Sequence, residues 1–140
     1  MFQLDIITPT RQAYSKDVKA VFVPTVNGQI GVLPRHISLL TTLTEGEIKV
    51  VEEGKDIFLA IGGGFMEVAK NRVLILVTRA VHADELNQEE IQKAYQSARE
   101  IMKKKEKTME REQALATFKR SLVEMKLLKR TKRRQSPLTI

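Results

Sequence analysis

The residues with the most chemical potential in this chain are a glycine triplet, Gly62-Gly63-Gly64, and two histidines, His36 and His82. A glycine-rich loop can cradle phosphate with its backbone N–H groups. That chemistry needs either a Gly-Lys-Ser/Thr ending or a Gly-x-Gly-x-x-Gly spacing opening a helix. The triplet has neither; it runs into Phe65-Met66-Glu67-Val68, a strand-like stretch. It therefore reads as a bulge or tight corner between two strands. The histidines have no cysteine to join them, because the chain has none, and no metal-type spacing around them. No metal site, disulfide or thiolate chemistry is expected. No nucleophile–base pair or paired carboxylates stand out, so no catalytic residues and no cofactor are predicted.

A third candidate is Asn27-Gly28-Gln29-Ile30-Gly31-Val32-Leu33-Pro34-Arg35-His36. Asn-Gly favours a tight turn, and Gly31 and Pro34 add a second sharp feature. The segment reads either as a loop that merely turns the chain or as a rigid loop presenting Gln29, Arg35 and His36 to a partner.

These features sit in the first of two physically different halves. All seven glycines lie at or before Gly64, as do three of the four prolines. Residues 1–84 carry nine basic and nine acidic residues, whereas 99–134 carry fourteen basic against five acidic. Residues 1–84 alternate like short strands: Phe2, Leu4 and Ile6; Val18 to Val23, closed by Pro24; Ile48 and Val50, then Phe58 and Ala60, around Glu52-Glu53-Gly54-Lys55. Val73, Ile75 and Val77 alternate with Leu74, Leu76 and Thr78. Both sets are largely apolar, so this strand is expected to be covered on both faces, with Leu76 and Val77 in the core. Strands at this spacing predict an antiparallel sandwich or barrel.

Residues 85–134 predict two helices of about 18 residues each, joined by a polar turn near 106–111, with 135–140 as a loose tail. Asn87 is the expected N-cap, with Glu89 and Glu90 in the first turn. Ile91, Ala94, Tyr95, Ala98, Ile101 and Met102 form one apolar stripe, and Leu115, Phe118, Leu122 and Met125 a second. The stripes can close on each other as an antiparallel hairpin or open onto another partner, since no Gly or Pro enforces the turn. Ala94, Ala98 and Ala114 suit close approach. Lys119, Arg120, Lys126, Lys129, Arg130, Lys132, Arg133 and Arg134 make the far end strongly positive, which points to an acidic protein surface, nucleic acid or anionic lipid. Against nucleic acid, aromatic and basic residues are not interleaved. A nucleic-acid-binding β domain with a basic arm stays as the alternative. No apolar run reaches the roughly 20 residues that span a bilayer. The first strand begins at Phe2, so no signal or transit segment is expected.

Taken in order, Gly28-Gln29-Ile30-Gly31-Val32-Leu33-Pro34-Arg35-His36, Gly63-Gly64-Phe65-Met66-Glu67-Val68, Val73-Leu74-Ile75-Leu76 and the two helices resemble the epsilon subunit of F-type ATP synthases. The likeness runs from Phe2 to about Arg130. It implies an α+β chain, an N-terminal antiparallel flattened β-sandwich followed by a C-terminal α-helical hairpin. The implied role is a non-catalytic rotor subunit of the central stalk of a proton-translocating ATP synthase. Its sandwich would bind the gamma subunit and the membrane c-ring, with Gln29, Arg35 and His36 at the ring. Its helices could extend, and Lys119, Arg120, Lys126, Lys129 and Arg130 would then meet the catalytic beta subunits of the alpha/beta hexamer and block hydrolysis. The isolated chain would be a monomer. In the complex it would be peripheral, on the cytoplasmic face of a bacterial plasma membrane or, if organelle-encoded, the stromal face of a thylakoid.

The family usually has Glu at the position of Gln29, Gly at Arg35 and Ala-Pro at Ile37-Ser38. Some bacterial members bind ATP through Ile/Leu-Asp-x-x-Arg-Ala. Here the stretch is Leu86-Asn87-Gln88-Glu89-Glu90-Ile91, with Asn87, Glu90 and Ile91 replacing Asp, Arg and Ala. The charge reversal at Glu90 predicts weak or no ATP binding.

Overall fold

A computed structural model describes residues 1–103 and 109–135, and side chains over 1–103 and 111–130. The described chain divides into two compact units, Met1–His82 and a second that begins at Ala83.

The first unit holds ten strands: β1 Phe2–Ile7, β2 Gln12–Val18, β3 Ala20–Thr25, β4 Gly28–Val32, β5 Leu39–Leu43, β6 Gly46–Glu52, β7 Lys55–Ile61, β8 Gly64–Ala69, β9 Arg72–Val77 and β10 Ala80–His82. They pair in the order β10-β7-β6-β3-β5-β8-β9-β1-β2, with β4 joined to β3. The sheet folds over on itself as a β-sandwich approaching a barrel, the architecture the alternation predicts. Every pairing is antiparallel except one. β1 lies parallel to β9, Gln3 to Ile7 matching Arg72 to Leu76.

Inward side chains fill the space between the layers: Phe2, Leu4 and Ile6 from β1, Val21 and Val23 from β3, Ile48 and Val50 from β6, Met66 and Val68 from β8, and Val73, Ile75 and Val77 from β9. Their period of two along each strand is what places them on one face. β2 reaches across to β6, where the Tyr14 hydroxyl donates to Glu52 Oε1. Lys16 and Lys55 each approach the same carboxylate at 3.8 Å. Burial, reinforced by that hydrogen bond and by the Glu52 charge, pushes the Tyr14 phenol above its usual range.

Two strand readings need correction. β9 is buried on one face only: Val77 is in the core, but Leu76 is 46% exposed. When both faces of a strand are apolar, the pattern does not say which one the fold covers. The longest run of consecutive buried residues is in β7, at Phe58, Leu59, Ala60 and Ile61. The second correction concerns residues 27–36. Half of this segment is strand β4, closing a hairpin with β3 from Thr25↔Gly28 to Val21↔Val32. The turn centres on Val26-Asn27, with positive φ at Gly28 (108°) rather than at Asn27. Pro24 lies inside β3 and does not end it. Proline lacks only a donor, and its carbonyl still accepts from Thr44 N at 3.1 Å.

The glycine triplet is a packing corner between β7 and β8, as the sequence suggests. Gly62 N donates to Arg79 O at 2.9 Å, and Gly63 O accepts from Thr78 N at 3.1 Å. A Cβ on Gly64 would stand 2.0 Å from Leu76 O.

The second unit opens with a short 3₁₀ turn, Ala83–Glu85, followed by α1 Gln88–Met102 and α2 Met109–Gln135. α2 is longer than predicted because nothing before Pro137 breaks it. The predicted turn near 106–111 falls partly outside the described residues, and its last three positions are already helix. Of the predicted tail, Gln135 is helical and 136–140 lie outside the described residues.

Candidate functional site

No cluster of three or more metal-capable side chains occurs among the described residues. Three surfaces of the described residues could meet a partner.

The first is the segment around β4. Gln29 is exposed on β4 opposite Pro24. After Val32 the chain makes a turn closed by His36 N donating to Leu33 O at 3.2 Å. Arg35 is exposed and holds φ +67°. His36 is half-buried, and its Nδ1 donates to Ile37 O at 2.7 Å, which fixes the ring. Leu33 is 59% and Ile37 79% exposed, so two apolar side chains flank the cation. Gln29 stands near the start of β4, beside the hairpin turn, and Arg35 and His36 follow its other end.

The second surface was not visible in the sequence. On the outer face, Phe65 of β8 lies opposite Leu76 of β9 and Thr42 of β5, and Leu76 lies opposite Ile7 of β1. Leu40, Phe65 and Leu76 are all exposed. Register alone brings these residues from four strands into one patch. The only signal for it in the sequence was the surplus apolar set on β9.

The third surface is on the helices. Asn87 caps α1, its Oδ1 accepting from Glu89 N at 3.0 Å and Glu90 N at 3.3 Å. Ile91 and Ala98 are buried, while Ala94, Tyr95 and Ile101 are half-buried. Tyr95 stacks on Phe118 of α2, centroids 5.0 Å apart and planes at 24°. The seam on α2 differs from the predicted stripe. Leu115 is 40% exposed, and Leu122 and Met125 are only half-buried. The buried positions are Ala114, Ser121, Glu124 and Leu127. Apolar residues spread widely around α2, so spacing alone does not set which line turns inward. Lys119, Arg120, Lys126, Lys129 and Arg130 are all exposed. The side chains of Lys132, Arg133 and Arg134 lie outside the described residues.

A groove of about 540 Å³ separates the helices, lined by Ala94, Ser97, Ala98, Gln113, Ala114 and Thr117 among others. Among the described residues its lining includes no Lys or Arg. Asn87 Oδ1 is engaged in capping and Glu90 is exposed and acidic.

Residues 1–83 match the family model described as "ATP synthase, Delta/Epsilon chain, beta-sandwich domain". A chain from Herpetosiphon aurantiacus named ATP synthase epsilon chain is 38% identical over 133 residues, covering 95% of this chain and 98% of the relative. The chain belongs to the ATP synthase epsilon family. A second epsilon chain, from Chloroflexus aggregans, is 37% identical over 135 residues, 95% of this chain and 97% of that one. The fold matches a chain in the cryo-EM structure of Euglena gracilis mitochondrial ATP synthase, OSCP/F1/c-ring, with TM-score 0.68 and 23% identity, covering 94% of this chain and 79% of that chain. It also matches one in the Tetrahymena thermophila mitochondrial ATP synthase central stalk/c-ring structure, with TM-score 0.60 and 15% identity, covering 90% of this chain and 95% of the other. The sandwich followed by two helices is the epsilon fold.

Proposed function

We propose that this epsilon chain is a non-catalytic rotor subunit of the central stalk of a proton-translocating ATP synthase, and that its helices act as a brake on ATP hydrolysis. The observation that carries the stalk role is the exposed apolar patch of Leu40, Phe65 and Leu76. Apolar side chains gathered on an otherwise well-packed sandwich gain free energy when a partner removes them from water, about 25 cal/mol per Å² of apolar surface. In this reading the gamma subunit covers that patch. The segment from Gln29 to His36, Arg35 included, then meets the polar loops of the c-ring. The chain touches the membrane only through that ring and sits peripherally, on the cytoplasmic face in a bacterium.

The brake rests on the composition of the helix seam. The described packing buries Ser121 and Glu124 while leaving Leu115 exposed and Leu122 and Met125 half in water. The apolar stripe of α2 is thus incompletely used, which lowers the free energy of moving it to another apolar surface. The exposed Lys119, Arg120, Lys126, Lys129 and Arg130 would guide it to an acidic segment on the catalytic beta subunits. Charge pairs of this exposed kind are screened, since the Debye length falls from about 10 Å at 0.1 M salt to about 3 Å at 1 M. Inhibition of hydrolysis by the added subunit should therefore weaken steadily as salt rises. A salt titration of inhibited against epsilon-free ATPase measures it, and salt-independent inhibition would remove the charge argument.

ATP should bind weakly or not at all. Equilibrium titration is expected to show no saturation at micromolar ATP, and a micromolar Kd would contradict the reading of Asn87, Glu90 and Ile91. The rotor assignment is tested by co-purification: the chain should carry a gamma subunit and the catalytic hexamer with it, and failure to capture either refutes it.

A further inference from the structure

The turn after β4 contains a residue that its geometry disfavours. His36 N donates to Leu33 O, so Leu33-Pro34-Arg35-His36 is a β-turn with Pro34 and Arg35 in the middle. Proline cannot take positive φ, which excludes the type I′ form. Positive φ at the third position, +67° at Arg35, then makes it a type II turn. Such a turn calls for glycine there, because any Cβ in the left-handed region is strained. Arg35 nevertheless holds it.

Nothing within the described chain offsets that strain. No described hydrogen bond, ion pair or ring contact involves the Arg35 side chain, which is exposed. The neighbouring side chains Leu33 and Ile37 are also exposed. A strained residue with no internal reward is a pointer to function. Pro34 and the positive φ of Arg35 set the direction in which the Arg35 side chain leaves the backbone. An exposed planar cation two positions along the chain from exposed Leu33 and Ile37 suits a carboxylate with an apolar neighbour, which it can grip with two parallel hydrogen bonds.

We infer that Arg35 is a specificity-determining residue of this epsilon chain, whose guanidinium pairs with a carboxylate on the facing polar loop of the membrane rotor ring. The inference rests on the proposed role of this segment at the ring, and it adds the chemistry of the partner.

The test uses full-length protein and the detergent-solubilised rotor ring from the same source, with and without amidation of the ring's exposed carboxylates by a water-soluble carbodiimide and an amine. Arg35→Gly relieves the turn, so its Tm should rise by roughly a few degrees. Its affinity for the untreated ring should nonetheless fall roughly three- to tenfold, within the range of a partly exposed charge pair or a charged hydrogen bond. Amidation should bring the wild-type chain down to the level of Arg35→Gly and leave that variant unchanged. Arg35→Glu should bind more weakly than either. Binding by Arg35→Gly equal to wild type overturns the inference alone, as does indifference of the wild-type chain to amidation. Failure of the wild-type chain to bind the untreated ring overturns the reading beneath it as well.

Discussion

Gly64→Ala should unfold the sandwich or cost it about 3–5 kcal/mol, a large part of the roughly 5–15 kcal/mol that stabilises a domain of this size. The added methyl would sit 2.0 Å from Leu76 O and 2.7 Å from Val77 Cα. Those atoms belong to the backbone of the neighbouring strand, so no rotamer change can clear them. β8 and β9 would have to part where Gly64 pairs with Val77. Its neighbour in the triplet is the control. A Cβ on Gly63 would meet nothing nearer than Leu43 O at 3.5 Å, ordinary contact, and its φ lies outside the left-handed region. Gly63→Ala should change stability by less than about 1 kcal/mol. Urea denaturation of the two variants separates them. Equal loss in both would mean that the corner is not what the triplet serves.

Removal of residues 88–140 should raise ATP hydrolysis by the assembled enzyme several-fold and leave binding to the stalk unchanged. The cut is made outside the core. Every residue of the main hydrophobic cluster, from Phe2 to Ala80, precedes it. The sandwich is a compact unit that ends at His82, so it keeps its packing and both surfaces proposed to bind the rotor. What disappears is the apolar stripe of α2 and the exposed basic residues from Lys119 to Arg130. A shift of about 1.4 kcal/mol in the balance between braked and free states is a tenfold change in their ratio, so even a weak brake is visible in rate. Steady-state ATPase assays, paired with co-sedimentation on the stalk, read both effects. A truncated chain that no longer binds would reassign the roles of the two halves, and one that binds without raising activity would abolish the brake.

Much of the architecture could be read before the structure because alternation and punctuation agreed. Phe2, Leu4 and Ile6 point inward as their period requires, and Asn87 caps a helix where an amide side chain precedes two glutamates. Two of the failures share one cause: each depended on which surface the fold chose to cover. Leu76 is as apolar as Val77, and only the pairing with Phe65 and Ile7 shows it facing out. Leu115 lies on a tidy stripe, but α2 has apolar residues on several sides and the hairpin selected Ala114, Ser121 and Leu127. β4 was hidden by the same Gly, Asn and Pro residues that shape its two ends. The strain at Arg35 left no trace, since proline followed by a bulky residue is ordinary in a type I turn and only the observed φ of +67° shows otherwise.

The single parallel pairing, of β1 with β9, bears on how the chain is made. β1 gets its inner neighbour only when residues 72–76 have followed it out of the ribosome. At about 5–20 residues per second, that is a wait of several seconds. Until then β1 and β2 can form a hairpin, but its inner edge and the side chains of Phe2, Leu4 and Ile6 stay uncovered. Nascent-chain folding should be limited by this late closure, and substitutions that weaken the β1–β9 seam should show first as lower soluble yield.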